Sequence, residues 1–388
     1  MRRILGVLAA LSILISLVFV VHVAPAGAIS RTQDNAKFDH IFLVMMENHA
    51  TNEVIGNTAD APYISMLANH YAVALNYYGV THPSLPNYLA AISGDFQGVW
   101  ADCVAGPTVL CPPTEFAPDS GYTNGEELLT PAEIASASQR PFWFSDKTIV
   151  DQLEAHGLSW KAYMQSMPSV AYDGGYYPYR TVNGQLVPVQ LYVQKHNPFM
   201  YFTDIRDNAA RMQKIVPYTQ LSADLQSGNV PKFAWISPDT CHDMHGIKPS
   251  DAQYLGIPDC AYASSGLDHS IIHLGDMFVQ SLVTQIMASS VWQQNTAIVL
   301  AWDENDFSGF NGCCHSPRGV AGVTLGGANA PFLVITSKHP QHFYDSSTPY
   351  NHYTLLATIE QLWGLGCLES ACGFDRDDLM TRFFGVAD

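Results

Sequence analysis

Phe38-Asp-His-Ile-Phe-Leu-Val-Met-Met-Glu-Asn-His49 is the stretch that decides the fold. From Ile41 to Met46 it is a short, unbroken apolar run, and it stops abruptly at Glu47 and Asn48. A strand buried on both faces reads this way. Such strands belong to parallel α/β sheets, whose functional groups sit in the crevice beyond the carboxyl ends of the strands. A carboxylate and an amide delivered there suit a hard cation. The alternative is a polar loop that only caps the next helix.

Before this stretch, Arg2 and Arg3 precede an apolar run from Ile4 to Val23, and Ala26-Gly27-Ala28 offers a small-residue cleavage site. Residues 1–28 read as a signal peptide. The run is also long enough to stay as an uncleaved membrane anchor. Either way the remainder, 29–388, is expected to work outside the cytoplasm, secreted or in the cell envelope. No repeat or linker divides it, so it reads as one elaborated domain with loop insertions at about 95–147 and 172–218. The net charge of −17 argues against a nucleic-acid partner, which needs clustered Lys and Arg. It also repels an anionic substrate unless the site itself supplies positive charge. Eight cysteines in an exported chain imply disulfides. The short-loop pairings are Cys103–Cys111, Cys241–Cys260 and Cys367–Cys372, while Cys313 and Cys314 either bridge each other or pair elsewhere.

Downstream, helices are expected at Pro62–His70, Tyr88–Ser93, Thr148–His156, Leu274–Ser289 and His352–Trp363. Strands are expected at Tyr71–Val80, Ser159–Tyr163, Pro231–Ser237, Thr296–Trp302 and Phe332–Ile335. The Tyr-rich segment Tyr172–Tyr218, with Arg180, Lys195, His196 and Arg206, reads as an irregular insertion over the site. Alternating strands and helices give an α/β fold, a three-layer α/β/α sandwich around a mostly parallel sheet.

Three strand ends carry acidic or metal-type residues: Glu47-Asn48, Asp239 to His245, and Asp303-Glu304. Ser84 stands at a Pro-fixed turn into a helix, where free N–H groups favour an anion. Carboxylates crowded into one crevice raise one another's pKa unless a cation sits among them. Oxygen ligands suit Mg, Ca or Mn, and histidine widens the choice to Zn or Fe. A divalent metal ion beside Ser84 would make its alkoxide accessible and neutralise a phosphoryl group in flight. That chemistry suits in-line displacement at phosphorus through a phosphoserine.

The motifs Glu47-Asn48-His49, His82-Pro-Ser-Leu-Pro-Asn87, Ser237-Pro-Asp-Thr-Cys-His-Asp-Met-His245, Trp302-Asp-Glu304 and Asn351-His-Tyr-Thr354 occur in this order. Together they resemble the bacterial phosphoesterase family of secreted acid phosphatases and phosphatidylcholine-type phospholipases C, within the alkaline phosphatase superfamily. The resemblance runs from about Phe38 to Trp363 and implies an alkaline-phosphatase-like fold. It implies Ser84 as nucleophile, with Glu47, Asn48, Ser84, Asp303 and Glu304 as metal ligands and Asn87 holding a phosphate oxygen. Asp239 and Asp243 are candidate ligands of a second metal, in which an Asp replaces the usual His. His242, His245 and His352 are then candidates to contact phosphate or to protonate the leaving group.

The expected function is an acid-phosphatase-like phosphomonoesterase acting on a small-molecule or lipid phosphate ester. Alternatives are a phospholipase C and a phosphoinositide or other lipid phosphatase. The family's phospholipases tend to be longer, and this chain stops about 25 residues after Trp363, which favours the phosphatase. A metal-independent serine hydrolase fits less well, since no Gly-x-Ser-x-Gly elbow occurs. Membrane contact is expected only through the substrate or an uncleaved anchor.

Overall fold

The apolar run forms a strand, β1 (His40–Met46), with every residue buried. The computed structural model describes residues 38–108, 135, 139–319, 322 and 324–386. The expected leader peptide, the middle of the 95–147 insertion and Cys111 lie outside the described residues. Numbering only the strands of its sheet, β1 is followed by β2 (Ala72–Ala74), β3 (Trp160–Met164), β4 (Ile215–Pro217), β5 (Phe233–Ser237), β6 (Thr296–Trp302), β7 (Phe332–Thr336) and β8 (Phe343–Asp345). Their spatial order is β8-β2-β7-β6-β1-β5-β3-β4.

Among the described residues, β7 alone in this sheet runs against its neighbours β6 and β2; the other pairings are parallel. The mostly parallel sheet is therefore present. β1 lies at its middle, with Met46 opposite Trp302 of β6 and Val44 opposite Ile236 of β5. The carboxyl ends of β5, β1 and β6 thus open side by side.

β1 feeds two cores, as a strand covered on both faces must. Ile41, Leu43 and Met45 join one core, with Leu85, Leu89 and Ile92 of helix α1 (Ser84–Ser93) and Leu355, Leu356 and Ile359 of helix α3 (His352–Trp363). Phe42, Val44 and Met46 join the other, with Ile272, Val279 and Leu282 of helix α2 (His269–Ala288). Each such aliphatic side chain contributes roughly 1.5–3 kcal/mol on leaving water. These are the three layers read from the sequence.

Two local readings are corrected. The expected strand Tyr71–Val80 breaks at Leu75-Asn76 into β2 and a two-residue piece, Tyr77–Tyr78, which pairs with Tyr350–Asn351 outside the main sheet. Part of Tyr172–Tyr218 is regular: Tyr176–Val182 and Gln185–Val193 form an antiparallel hairpin. Asn183 and Gly184 at its tip have φ of 50° and 80°, the left-handed conformation that a tight two-residue hairpin turn requires. Disulfides join Cys241–Cys260, Cys367–Cys372 and the neighbours Cys313–Cys314. Cys103 is also disulfide-bonded.

Glu360 sits on α3 with 1% of its surface exposed. Burial pushes its carboxyl up to about 8, with Gln152 and the Leu368 backbone pulling it only partway back. Between its ordinary 4.5 and about 8, the folded chain keeps a proton that the unfolded chain releases. Stability from this group is therefore full below pH 4.5 and falls as pH rises toward 8. We expect Glu360→Gln to melt close to the parent at pH 4.5 and clearly above it at pH 8, a difference of roughly 4 kcal/mol. Thermal unfolding at both pH values checks this, and equal shifts at the two would contradict it.

Candidate active site

The site is built at the carboxyl ends of β5, β1 and β6. The Asp303 N–H donates to the Met46 carbonyl at 3.0 Å, and the Glu47 N–H to the Asp243 carbonyl at 2.8 Å. These bonds fix three acidic strand ends beside one another. Helix α1 brings Ser84 to the same point. Gly79 makes this approach feasible, because a Cβ there would lie 2.7 Å from the Asp303 carbonyl oxygen.

The Ser84 hydroxyl lies 2.9 Å from Glu47 Oε2 and 3.2 Å from Glu304 Oε1. The Asn48 amide group stands 3.0 Å and 3.1 Å from the same two carboxylate oxygens. Turned one way it donates to both; turned the other it adds a fourth oxygen around a common centre. The Asn48 N–H donates to Asp303 Oδ1 at 3.2 Å. The structure therefore gathers Glu47, Asn48, Ser84, Asp303 and Glu304.

Two cations from the turn after the hairpin face this cluster. Lys195 Nζ donates to Ser84 Oγ at 3.2 Å and to Asp102 Oδ2 at 2.8 Å. His196 lies between Glu47 Oε1, at 2.8 Å, and Asp243 Oδ2, at 3.1 Å. Its ring stacks on Tyr88 with an interplanar angle of 5°. Burial works against a charged ring, but Glu47 and Asp243 push His196 up to about 9. Burial would likewise raise Glu47, yet the charges of His196 and Lys195 hold it well below the usual carboxylate range. Asp303 and Glu304 are pushed far up, by burial first and then by the Glu47 charge.

These residues fit a divalent cation by their own chemistry. Among the described residues, buried Asp303 Oδ2 has no hydrogen-bond donor, and Asp303 and Glu304 cannot both ionise in this buried crevice beside Glu47 without added positive charge. Among the described residues no three His, Cys, Asp or Glu side chains form a ready metal cage by themselves. The oxygen set here draws on Asn48 and Ser84 as well. His82 holds Glu304 from behind, with Nδ1 on Glu304 Oε2 and Nε2 on the Gly309 carbonyl at 3.0 Å.

Other residues singled out in the sequence have different surroundings. Asn87 accepts from the Val80 and Thr81 N–H groups at 2.7 and 3.1 Å and donates to the Thr81 and Pro83 carbonyls at 2.6 and 3.0 Å. An amide so engaged has nothing left for phosphate, and Asn87 instead ties the turn that aims Ser84. His352 is fully buried, with Nδ1 on the Tyr77 hydroxyl at 2.8 Å and Nε2 on the Asp303 carbonyl at 2.6 Å, and burial lowers it to about 4. It braces the end of β6 rather than meeting a ligand. Asn351 and Thr354, from the same motif, cap α3 by exchanging hydrogen bonds.

Asp239 turns to His242 at 2.6 Å and to Ser166 at 2.5 Å, away from the cluster, whereas Asp243 reaches it through His196. Of the three candidate histidines, His245 faces the cavity, which measures about 520 Å³. Burial and the Lys195 charge lower His245 to about 4. The cavity is also lined by Asn48, Ser84, Asp102, Lys195 and Phe307. In the sequence, Lys195 and His196 read only as part of an insertion over the site, without a role in it, and Asp102 is not singled out. The one available signal was Lys195-His196 in an otherwise acidic chain.

The sequence model of the Phosphoesterase family matches residues 57–366. The probable acid phosphatase of Kluyveromyces lactis is 23% identical over 332 residues, covering 86% of this chain and 60% of its own length. This chain thus spans about three fifths of that relative. The phosphatidylinositol-3-phosphatase of Mycobacterium tuberculosis is 23% identical over 330 residues, covering 84% of this chain and 78% of its own. A crystal structure of a protein in the alkaline phosphatase superfamily from Vibrio parahaemolyticus aligns with a TM-score of 0.42 at 14% identity, covering 88% of this chain and 72% of that one.

Because Asn87 satisfies buried groups of the turn, we expect Asn87→Ala to destabilise the fold by roughly 2–4 kcal/mol. Thermal or denaturant unfolding measures it. A variant of parental stability that had lost only phosphate affinity would return Asn87 to the ligand-binding role.

Proposed function

Because the chain belongs to the Phosphoesterase family, we propose that it is an exported, metal-dependent phosphomonoesterase working through a phosphoserine at Ser84. One observation carries the reading: the Ser84 hydroxyl, at the first residue of α1, stands between two carboxylate oxygens and an ammonium group. The N-terminal end of a helix favours the phosphate anion in front of it.

Ser84 Oγ attacks phosphorus and passes its proton to a neighbouring carboxylate. Glu47, which His196 and Lys195 keep charged, accepts from the hydroxyl at 2.9 Å and takes that proton, while Glu304, pushed up by burial and by Glu47, lies 3.2 Å from Oγ and holds it in place. The bond from Oγ to phosphorus forms as the ester bond breaks, and the leaving alkoxide takes a proton from an incoming water. The resulting hydroxide attacks the phosphoserine, the Oγ–phosphorus bond breaks, Oγ takes back its proton from the carboxylate, and inorganic phosphate leaves. His82 fixes the Glu304 carboxylate through both steps, and His196 keeps Glu47 and Asp243 apart while supplying positive charge between them. A divalent cation held by Glu47, Asn48, Ser84, Asp303 and Glu304 would lower the pKa of the serine and stabilise charge on the phosphoryl oxygens.

Both curated relatives above carry the name phosphatase, which supports a monoester over a diester. The second of them makes a lipid monoester a specific alternative to a soluble one. Export is supported by the N-terminal apolar run and by the disulfides, which persist in oxidising compartments.

Ser84→Ala is expected to lower kcat on a soluble chromogenic monoester by roughly 10³-fold or more, with the melting temperature retained. Ordinary turnover by that variant would exclude Ser84 as nucleophile. Dialysis against a chelator is expected to abolish activity, and a panel of Mg, Ca, Mn, Zn and Fe salts to restore it. Full activity in the chelated protein would remove the metal from the reading. Release of phosphate from phosphoinositide micelles, compared with the soluble monoester, separates the two substrate sources.

A further inference from the structure

We propose that Lys195 sets the preference for a dianionic phosphomonoester over a monoanionic diester by gripping an oxygen of the phosphoryl group that Ser84 attacks; this rests on the phosphoesterase reading above. Lys195 Nζ lies 3.2 Å from Ser84 Oγ. Once Oγ bonds to phosphorus, the oxygens of that phosphorus lie one bond further on, within reach of the same ammonium. An ammonium has three donors. One is directed to Asp102 and one to Ser84, so the third is available to the cavity that all three residues line.

The position of Lys195 is fixed rather than mobile. Asp102 Oδ2 accepts from Nζ at 2.8 Å, while Asp102 Oδ1 accepts from the Leu85 N–H at 2.9 Å. Leu85 is the second residue of α1, directly after Ser84. One carboxylate therefore ties the ammonium and the nucleophile to the same turn of helix, and Asp102 acts as a positioning residue. The backbone of the Gln194–His196 turn, anchored by the Gln194 N–H on the Gly175 carbonyl at 2.8 Å, sets the other end of the side chain.

Charge makes this grip selective. Among the described residues lining the cavity, Lys195 is the sole Lys or Arg, and it faces Glu53, Asp102, Asp268 and Asp306. These carboxylates repel an incoming phosphate ester, a dianion twice as strongly as a monoanion at the same place. The same proportionality means that a dianion gains twice as much from the fixed ammonium. A diester also lacks one of the terminal oxygens available to be held. Removing Lys195 should therefore cost the monoester far more than the diester.

The test compares p-nitrophenyl phosphate with methyl p-nitrophenyl phosphate, which share a leaving group. It uses the metal-loaded wild-type chain, Lys195→Met, Lys195→Arg, and the double variant Lys195→Met with Asp102→Asn. The double variant removes both charges of the ion pair and keeps the test available if Lys195→Met alone fails to fold. We expect kcat/KM for the monoester to fall about 10²-fold in Lys195→Met and in the double variant. The diester should lose less than about tenfold, and Lys195→Arg should recover part of the monoester rate. Equal losses on both substrates would reduce Lys195 to orienting Ser84 and overturn the proposal, as would no loss on either. If neither ester is cleaved by the wild-type chain in a Ser84-dependent way, the phosphoesterase reading itself fails. If Ser84-dependent cleavage stands and the substrate ratio does not move, the Lys195 proposal fails alone.

Discussion

Like charges buried together in a dry crevice must be answered by opposite charge or by protons, and the rest of this molecule is arranged around that requirement. Glu47, Asp243, Asp303 and Glu304 are all fully buried at the ends of three adjacent strands. Left alone, they would take up protons and lose their use as ligands or bases. The chain supplies two answers from one short turn, Lys195 and His196, and leaves the oxygen cluster around Ser84 able to take a third cation.

This division of labour explains the thickness of the scaffold. A hydroxyl placed by a helix start depends on the turn before it, and here Asn87 closes that turn with four hydrogen bonds while Gly79 lets it come close to β6. Behind the carboxylates, His82 grips Glu304 and His352 grips the Asp303 backbone. None of these groups needs to touch a substrate to matter. Each removes a degree of freedom from a neighbouring group of the cluster, as the supports of a preorganised site do.

Much of this was legible in the sequence, for identifiable reasons. The runs Ile41–Met46, Phe233–Ile236 and Ala297–Trp302 are apolar throughout because both faces of their strands are covered, and the chain after them leads to Glu47, Asp243 and Asp303 at the crevice. Strand direction was not legible, since apolar periodicity is the same for β7 running backwards. The hairpin was hidden by tyrosines on both faces and by Pro178 and Pro188, although Asn183-Gly184 signalled its turn. Lys195 and His196 come to the site from a turn some 150 residues after Glu47, and local pattern carries no record of that meeting. Asn87 and His352 show the converse limit. Their motifs mark them as special, but a motif does not say whether a side chain points at the ligand or back into the fold.

The sheet order has a consequence for how the chain acquires its structure. β1 is made early, yet its two partners are synthesised about 190 and 255 residues later. Contacts so distant in sequence are slow to close, because loop entropy must be overcome before they stabilise anything. Until then the six apolar residues Ile41–Met46 lack their strand partners and are prone to associate with other chains. Assembly of the central layer therefore waits for the arrival of Thr296–Trp302. Nascent or truncated chains ending before that segment would lack the central layer and would depend on holding factors to stay in solution.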